Sequence, residues 1–187
     1  GNKVSVNVKD FPVYFYFNIV SALSVIEDLK LDYVETLDKL LNTFEFPQGR
    51  NQHIRVGEKE VYFNLAKNVV GFEETIEYLA DNYDGFNILI AFNDDYADGR
   101  DVSWIWDVKM KILAPKLNKV YIVGSRRYDM ALKVEAAGIQ NIHVYDTIKD
   151  GINLALEENE GVLAVVTNYT PLVELDQNIQ SWVGKNA

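Results

Sequence analysis

The sequence contains no cysteine, only two histidines and four prolines, and far fewer positive than negative charges. Without cysteine, disulfide bonds, thiolate metal ligands and a cysteine nucleophile are excluded within these 187 residues. The 18 Lys and Arg against 28 Asp and Glu give a formal net charge of −10. Nonspecific binding to nucleic acid or to an anionic membrane is therefore disfavoured, since both require a basic surface.

Long hydrophobic runs are also missing. The longest apolar stretches, 88–92 and 161–166, are much shorter than a membrane-spanning helix requires, and no charged-then-apolar leader opens the sequence. We therefore expect a soluble, cytoplasmic protein without a transmembrane segment. With 48% hydrophobic residues, the length suits one domain with a sizeable core, or one domain plus a fragment of another.

Several catalytic signatures are absent as well. The sequence has no phosphate loop, no Gly-x-Gly-x-x-Gly fingerprint and no Gly-x-Ser-x-Gly elbow. His53 and His143 stand apart without ligand-like spacing, so no metal site is predicted. The sequence therefore does not indicate an enzyme that could catalyse a reaction by itself.

The first 46 residues differ in rhythm from the rest. Residues 4–8 alternate with period two and residues 13–17 are rich in β-forming residues, which predicts a short strand pair. Two amphipathic helices follow, indicated by the helical spacing of Ile19, Leu23 and Ile26 and of Val34, Leu37, Leu41 and Phe44. The break at 47–50 predicts a boundary, with one domain at 1–46 and another at 47–187.

In the second domain, short apolar strands alternate five times with helices. The predicted strands cover 61–64, 87–92, 120–123, 141–144 and 161–166. Five helices are predicted between and after these strands. The first carries Phe72, Ile76, Leu79 and Ala80 on one face, the second runs from about Trp104 to Lys116, and the third carries Met130, Val134 and Ala137 before a C-cap at Gly138. The fourth runs from an N-cap at Asp146 to about Glu158, and the last begins at Thr170-Pro171. This alternation predicts an α/β, Rossmann-like, mostly parallel sheet with helices on both faces.

Ligands of such sheets bind beyond the carboxyl ends of the strands, so the loops there are the candidate sites. The loop 93–101 is unusual because it holds four Asp and one Arg directly after an apolar strand. It is either a solvated loop in which Asp101 or Ser103 caps the next helix, beside two tryptophans as core anchors, or a binding loop. A calcium loop fits poorly, because Tyr96 and Ile105 stand where oxygen ligands are required.

Three shorter loops also leave alternatives open. Residues 64–68 offer two amides and a lysine, which suit a ribose or phosphate, or simply a loop with Asn68 as the N-cap. Residues 124–127 place two Arg in a helix's first turn, where an acidic partner or a surface salt bridge would offset the helix dipole. The run Asn168-Tyr-Thr170 matches a glycosylation sequon, and Thr170 is explained as a cap.

The run 93–107 closely resembles the Asn-Asp-Asn-x-Ala-Asp-Gly-Arg-Asp-x-Ser-Trp signature of the MurT family, the Mur-ligase-like subunit of lipid II isoglutaminyl synthase. Three further resemblances occur in the family's order and extend the similarity over roughly residues 13–182: Asn64-Leu-Ala-Lys-Asn68 with Gly71-Phe72, then 124–132, then 168–170. Two departures are Val69, where the family has Pro, and Asp95, where the signature has Asn.

The resemblance implies a carboxy-terminal fragment. Residues 1–46 would be the tail of a Mur ligase central domain, and 47–187 a Mur ligase C-terminal-type domain. The family's phosphate loop and its zinc ribbon would lie before Gly1. ATP and Mg²⁺ would then be bound mainly by parts outside this sequence, and zinc only by the central domain.

The resemblance further implies an ATP- and glutamine-dependent amidation of D-glutamate in the lipid II stem peptide, giving D-isoglutamine. A GatD-type glutaminase partner with a Cys–His pair would supply ammonia, and Asp101 would complete its triad, which is physically sensible for a carboxylate that orients a histidine. The residues that would support this loop are Asp94, Asp98, Gly99 and Arg100. Those that fall where Mur ligases contact ATP and the transferred carboxylate are Arg50, Asn64, Lys67 and Asn68.

Two alternatives remain open. The same fold could dock a partner without supplying a triad Asp, or it could belong to a Mur-type amino-acid ligase that has no glutaminase. A plain ligase has no reason for the loop 93–101, whereas a docking module would tolerate Asp101→Asn.

Overall fold

The computed structural model describes residues 13–186, except for the side chains of 34–36 and 38. The chain divides into two compact units, Gly1–Pro47 and Gln48–Ala187. The strand expected at 4–8 lies outside the described residues. Within the described part, every helix falls short of the length and apolar character that crossing a bilayer requires.

The first unit contains two helices, α1 (Val13–Asp28) and α2 (Val34–Thr43). Phe15, Ile19 and Leu23 of α1 pack against a small core at Leu37 and Leu41 of α2. The predicted strand at 13–17 is therefore wrong. Phe15 extends the four-residue spacing of Ile19 and Leu23, and this helical packing overrides the β propensity of the aromatic run.

The second unit is built on a six-stranded sheet with the order β1-β2-β6-β3-β4-β5. Strand β1 pairs antiparallel with β2, and all other pairs are parallel. The strands are β1 (Gln52–Val56), β2 (Lys59–Leu65), β3 (Phe86–Ala91), β4 (Leu117–Val123), β5 (Ile142–Val144) and β6 (Val162–Thr167). The helices are α3 (Val69–Asn82), α4 (Arg127–Ala136), α5 (Ile148–Glu158) and α6 (Leu172–Asn186). The predicted α/β class is confirmed.

Both faces of the sheet are covered by helices. One core, which includes Phe72 of α3 and Met130 of α4, lies on the first face. The other, which includes Ile152 of α5 and Leu175 of α6, lies on the opposite face. The chain therefore leaves β2 and β3 toward the first face but leaves β6, which lies between them, toward the second. Loops that diverge in this way open the crevice where α/β proteins bind ligands.

The region from 103 to 113 differs from the prediction. Instead of one α-helix from about Trp104 to Lys116, it forms two 3₁₀ helices, Ser103–Asp107 and Met110–Leu113. The buried residues Val102, Ile105 and Val108 are spaced by three, and side chains three apart align along one side of a 3₁₀ helix.

Two of the predicted helix caps have different outcomes. Thr147, not Asp146, caps α5, and its hydroxyl accepts a hydrogen bond from the Asp150 N–H at 3.0 Å. Asp146 instead pairs with Arg127 at 3.0 Å. Gly138 has a φ of +80° directly after the C-cap residue of α4, as the predicted C-terminal glycine requires.

Candidate functional site

Asn93 joins the carboxyl ends of three adjacent strands. Asn93 lies two residues after the end of β3, and its backbone N–H donates to Asn168 Oδ1 at 3.1 Å while its carbonyl accepts from Asn168 Nδ2 at 2.6 Å. Its side chain accepts from the Ser125 N–H at 2.8 Å and donates to Thr170 Oγ1 at 2.9 Å. One asparagine therefore fixes the loops after β4 and β6 relative to its own. The sequence interpretation assigned no role to Asn93, and the available signal was an Asn just beyond each of two buried strands.

Gly124 allows these loops to approach each other closely. Its φ is +103°, and a Cβ at this position would lie 2.3 Å from the Phe92 carbonyl oxygen. The same carbonyl accepts a hydrogen bond from the Arg126 N–H at 2.9 Å. A glycine is thus required at the end of β4, because any side chain would push the loops apart.

Two aspartates anchor the loop 93–101. Asp94 Oδ1 accepts from the Ser125 hydroxyl at 2.8 Å. Asp98 accepts twice from Thr170, through Oδ1 from the N–H at 2.8 Å and through Oδ2 from the hydroxyl at 2.5 Å. The prediction that Thr170 caps α6 is wrong, because α6 begins only at Leu172 and the Thr170 hydroxyl accepts from the Asn93 side chain and donates to Asp98. Both aspartates hold the loop against its neighbours.

Asp101 combines a local bond with exposure to solvent. Its Oδ1 accepts from the Ser103 N–H at 2.9 Å, at the start of the first 3₁₀ helix. The Ser103 hydroxyl and backbone N–H lower the pKa of Asp101 below its ordinary value. The carboxylate is therefore ionised at neutral pH, and no cation is paired with it among the residues that the structure describes. It can accept a hydrogen bond from an incoming donor.

The surroundings of Asp101 are mixed in character. Asp101 lines a cavity of about 190 Å³ with Arg100, Arg126 and Trp106, among others. Trp106 is 48% exposed, so it is not the core anchor that the sequence suggested. Trp104 is such an anchor, with its ring centroid 5.3 Å from that of Phe92. An ionised carboxylate beside arginines and an exposed indole suits contact with another protein.

Gly99 and Arg100 link the Asp98 anchor to Asp101. Gly99 has a φ of +88°, and a Cβ there would meet no atom within 4 Å. Arg100 is exposed, and no hydrogen bond or ion pair holds it within residues 13–186. No side-chain hydrogen bond or ion pair in the described part of the chain therefore holds this link.

A second group of predicted residues lies at the carboxyl end of β2. The buried Asn64 accepts from the Asn51 N–H at 3.0 Å and donates to the Thr75 hydroxyl at 2.7 Å. Asn68 caps α3 by accepting from the Gly71 N–H at 2.8 Å, which confirms its interpretation as an N-cap. Both amides therefore have structural partners.

The two cations of this group are more accessible. Arg50 is exposed and donates one hydrogen bond to the Leu65 carbonyl at 3.2 Å, two residues before Lys67. Lys67 is also exposed and has no partner in the described part of the chain. Arg50 and Lys67 fit a phosphate or carboxylate group, whereas Asn64 and Asn68 are committed elsewhere. Within residues 13–186 no group of three His, Cys, Asp or Glu side chains could hold a metal ion.

Solved structures define the class of fold. MurC from Thermotoga maritima has a TM-score of 0.70 at 8% identity, covering 96% of this chain and 40% of that protein. MurF from Acinetobacter baumannii has a TM-score of 0.69 at 14% identity, with the same two coverages. MurF from Thermotoga maritima, solved with ADP, has a TM-score of 0.62 at 15% identity, covering 91% and 38%. The second unit thus has the α/β fold found in Mur ligases.

Sequence comparison identifies the family. The family model described as MurT ligase C-terminal matches residues 65–172, and the chain belongs to this family. Two similar proteins are the MurT subunits of lipid II isoglutaminyl synthase (glutamine-hydrolyzing) from Staphylococcus aureus and Streptococcus pneumoniae. The first is 27% identical over 178 residues, covering 94% of this chain and 40% of the relative. The second is 26% identical over 175 residues, covering 90% and 38%. The chain spans about 40% of the length of these relatives.

Proposed function

We propose that this chain is the C-terminal part of a synthase subunit that amidates D-glutamate of the lipid II stem peptide to D-isoglutamine with ATP and glutamine. In this proposal it docks a GatD-type glutaminase and contributes Asp101 to the partner's Cys–His–Asp triad. Membership in the MurT C-terminal family supports the general assignment. The relatives' names describe subunits of a glutamine-hydrolyzing synthase, which supports a partner that uses glutamine.

The main support for the role of Asp101 is the exposure and charge of its carboxylate. Its carboxylate is exposed, ionised and held by Ser103, and no cation from the described residues pairs with it. A triad aspartate accepts a hydrogen bond from the histidine, fixes the imidazole tautomer and stabilises the imidazolium that forms. Asp101 has the charge that this role requires, and because its carboxylate is exposed, a histidine of another protein can reach it.

The ATP-dependent half of the reaction would use the end of β2. When bound, ATP supplies the phosphoryl group that activates a carboxylate for amide formation. Arg50 and Lys67 would hold the anionic groups, while Asn64 fixes the neighbouring turn through the Asn51 N–H. In the proposal, Mg²⁺ and zinc belong to other parts of the complete subunit. The reaction would take place in the cytoplasm, where ATP is available, and nucleic acid has no part in it.

The test uses the complete two-subunit synthase with wild type, Asp101→Asn and the matched control Asp107→Asn. Asp107 is also exposed and lies at the end of the first 3₁₀ helix. We expect glutamate release from glutamine to fall by about 10³–10⁴-fold in Asp101→Asn. Partner binding should persist, and Asp107→Asn should behave like the wild type.

Other outcomes favour other functions. If Asp101→Asn binds and stimulates the glutaminase as the wild type does, the chain is a docking module. If the wild type amidates or ligates with ATP but never stimulates a glutaminase, it belongs to a Mur-type amino-acid ligase. Arg50→Ala and Lys67→Ala test the other half: ATP-dependent amidation should fall while glutamine hydrolysis continues.

A further inference from the structure

The run Asn168-Tyr-Thr170, which the sequence offered as a sequon, as a cap and as part of the family resemblance, contacts the loop 93–101 directly. We propose that Thr170 is a positioning residue for glutamine hydrolysis, acting through Asp98 to hold Asp101 in place for the partner's histidine. This inference rests on the proposed function, because it presumes that Asp101 completes the triad.

Thr170 binds the Asp98 carboxylate through two hydrogen bonds. Asp98 receives the Thr170 N–H on Oδ1 and the Thr170 hydroxyl on Oδ2, at 2.8 and 2.5 Å. The same hydroxyl accepts from Asn93 Nδ2 at 2.9 Å, and its single proton faces Asp98 Oδ2 at 2.5 Å and the more distant Asp95 Oδ2 at 3.3 Å. Hydrogen bonds to an ionised acceptor are stronger than those between neutral groups. The Thr170 hydroxyl, itself oriented by Asn93, therefore holds the Asp98 carboxylate in place, and we call this pair of hydrogen bonds from Thr170 to Asp98 the clamp.

The start of α6, just after Thr170, has its own contacts. Leu172, the first residue of α6, packs so closely on Gly49 that a Cβ there would lie 2.3 Å from Leu172 Cδ1. One turn further along the helix, Asp176 accepts from the Gln48 side chain at 2.7 Å. The start of α6, just after Thr170, is thus held by the segment before β1 and not by the loop 93–101.

Asp98 is the nearest fixed point before Asp101. Between them lie Gly99, with its positive φ, and the exposed Arg100, while after Asp101 the buried Val102 anchors the chain. Three residues can span about 10 Å when extended. If Asp98 is released, the Asp101 carboxylate can therefore move by ångströms. Because a misplacement of about 1 Å can cost about 100-fold in rate, the clamp matters more for catalysis than for docking.

The experiment compares Thr170→Val, which keeps the shape but removes the hydroxyl, with Thr170→Ser, which keeps the hydroxyl, in the complete synthase with its GatD-type partner. We expect kcat for glutamine hydrolysis at saturating partner to fall about 10- to 100-fold in Thr170→Val. The KM for glutamine and the Kd for the partner should change by less than about threefold, since these contacts do not depend on the clamp. Thr170→Ser should restore kcat to within about twofold.

A matched control separates positioning from general destabilisation. Thr147→Val removes another threonine hydroxyl with a structural bond, the N-cap of α5, which accepts from the Asp150 N–H and not from the loop 93–101. It should lower the melting temperature about as much as Thr170→Val while leaving kcat unchanged. Equal loss of kcat in both variants would show a merely structural role and overturn the proposal.

Two further variants complete the test. Asp98→Asn keeps an acceptor for the Thr170 N–H but loses the nearer acceptor for its hydroxyl, which leaves only Asp95 at 3.3 Å, so it should reproduce the loss of kcat even if Thr170→Val folds poorly. In the Asp101→Asn background, Thr170→Val should cause no additional loss. If Asp101→Asn is inactive but Thr170→Val and Asp98→Asn turn over at the wild-type rate, only the positioning role fails. If Asp101→Asn is fully active, the proposed function itself fails.

Discussion

Asn93 and Asn168 bind each other reciprocally at the ends of two neighbouring parallel strands. The backbone N–H of Asn93 donates to the side chain of Asn168, and that side chain donates back to the Asn93 carbonyl. Asn168 is 1% exposed, so no solvent can replace these bonds. A single amide thereby continues the pairing of β3 and β6 for one more residue, beyond the point where the strands themselves end.

Asn168→Ala should therefore destabilise the fold. The substitution leaves the N–H and the carbonyl of Asn93 without these partners, and we expect the free energy of unfolding to fall by about 2–3 kcal/mol. Urea denaturation at neutral pH measures the change. Asn178→Ala is the control, because among the described residues its side chain bonds only to a carbonyl of its own helix. A similar loss of stability there would contradict the interpretation.

Gly124→Ala should be more damaging. The new methyl group would lie 2.3 Å from a backbone carbonyl at a φ of +103°, so both the contact and the backbone conformation are unfavourable. We expect a loss of about 3 kcal/mol or more in the free energy of unfolding. Gly161→Ala provides the comparison, since a Cβ at Gly161 would meet nothing within 4 Å. Equal stability of the two variants would refute the close-contact explanation.

Val69→Pro should be tolerated or stabilising. Val69 is the first residue of α3, and Asn68 before it is extended, with φ −157° and ψ 170°, as a residue before proline prefers. A proline at the first helical position should raise the free energy of unfolding by about 0.5 kcal/mol, by restricting the unfolded chain. Val70→Pro is the contrasting variant, because the residue before it is already helical. Thermal unfolding should show a lower melting temperature for Val70→Pro than for the wild type.

Glu60 should make stability depend on acid pH. Burial raises the pKa of Glu60, but hydrogen bonds from His53, Tyr83 and Arg55 outweigh this and hold the pKa below its ordinary value of 4.5. A carboxyl whose pKa is lower in the folded state stabilises the fold above its unfolded pKa, and this stabilisation is lost as the pH falls through the folded pKa.

The lowered pKa of Glu60 determines how the stability of Glu60→Gln should depend on pH. The variant should be less stable than wild type at pH 7, and the difference should shrink as the pH falls below about 4.5. Urea denaturation at several pH values measures both curves. Glu157→Gln, on the exposed side of α5, serves as the control. A difference that stays constant down to pH 3 would exclude a role for the Glu60 charge.

Much of the fold could be predicted because buried parallel strands are continuously apolar. The runs at 87–92 and 120–123 identify β3 and β4 in this way. Strand β1 was missed, since Gln52–Val56 alternates partly buried and exposed residues and contains His and Arg. The aromatic run at 13–17 has the opposite problem: its local propensity favours a strand, but its packing partners lie on α2.

The site was predictable only in part, for a similar physical reason. The position of the loop 93–101 after β3 follows from the chain order, because strand ends converge at one edge of a parallel sheet. That Thr170 bonds Asp98 rather than its own helix depends on residues 72 positions apart meeting across a sheet. No local pattern encodes such a meeting. Lys67 and Arg50 are exposed, so their role in binding an anionic group stays a prediction, whereas the hydrogen bonds that hold the Asn64 side chain appear only in the packed structure.

The order of the strands also bears on solubility. The two edges of the sheet are β1, with five residues, and β5, with three. Long exposed edges invite other chains to add a strand, and short or charged edges resist this. Arg55 projects from β1 with 74% of its side chain exposed. We therefore expect this sheet to resist edge-to-edge aggregation, so that an exchange of strands is an unfavourable route to any assembly the protein forms.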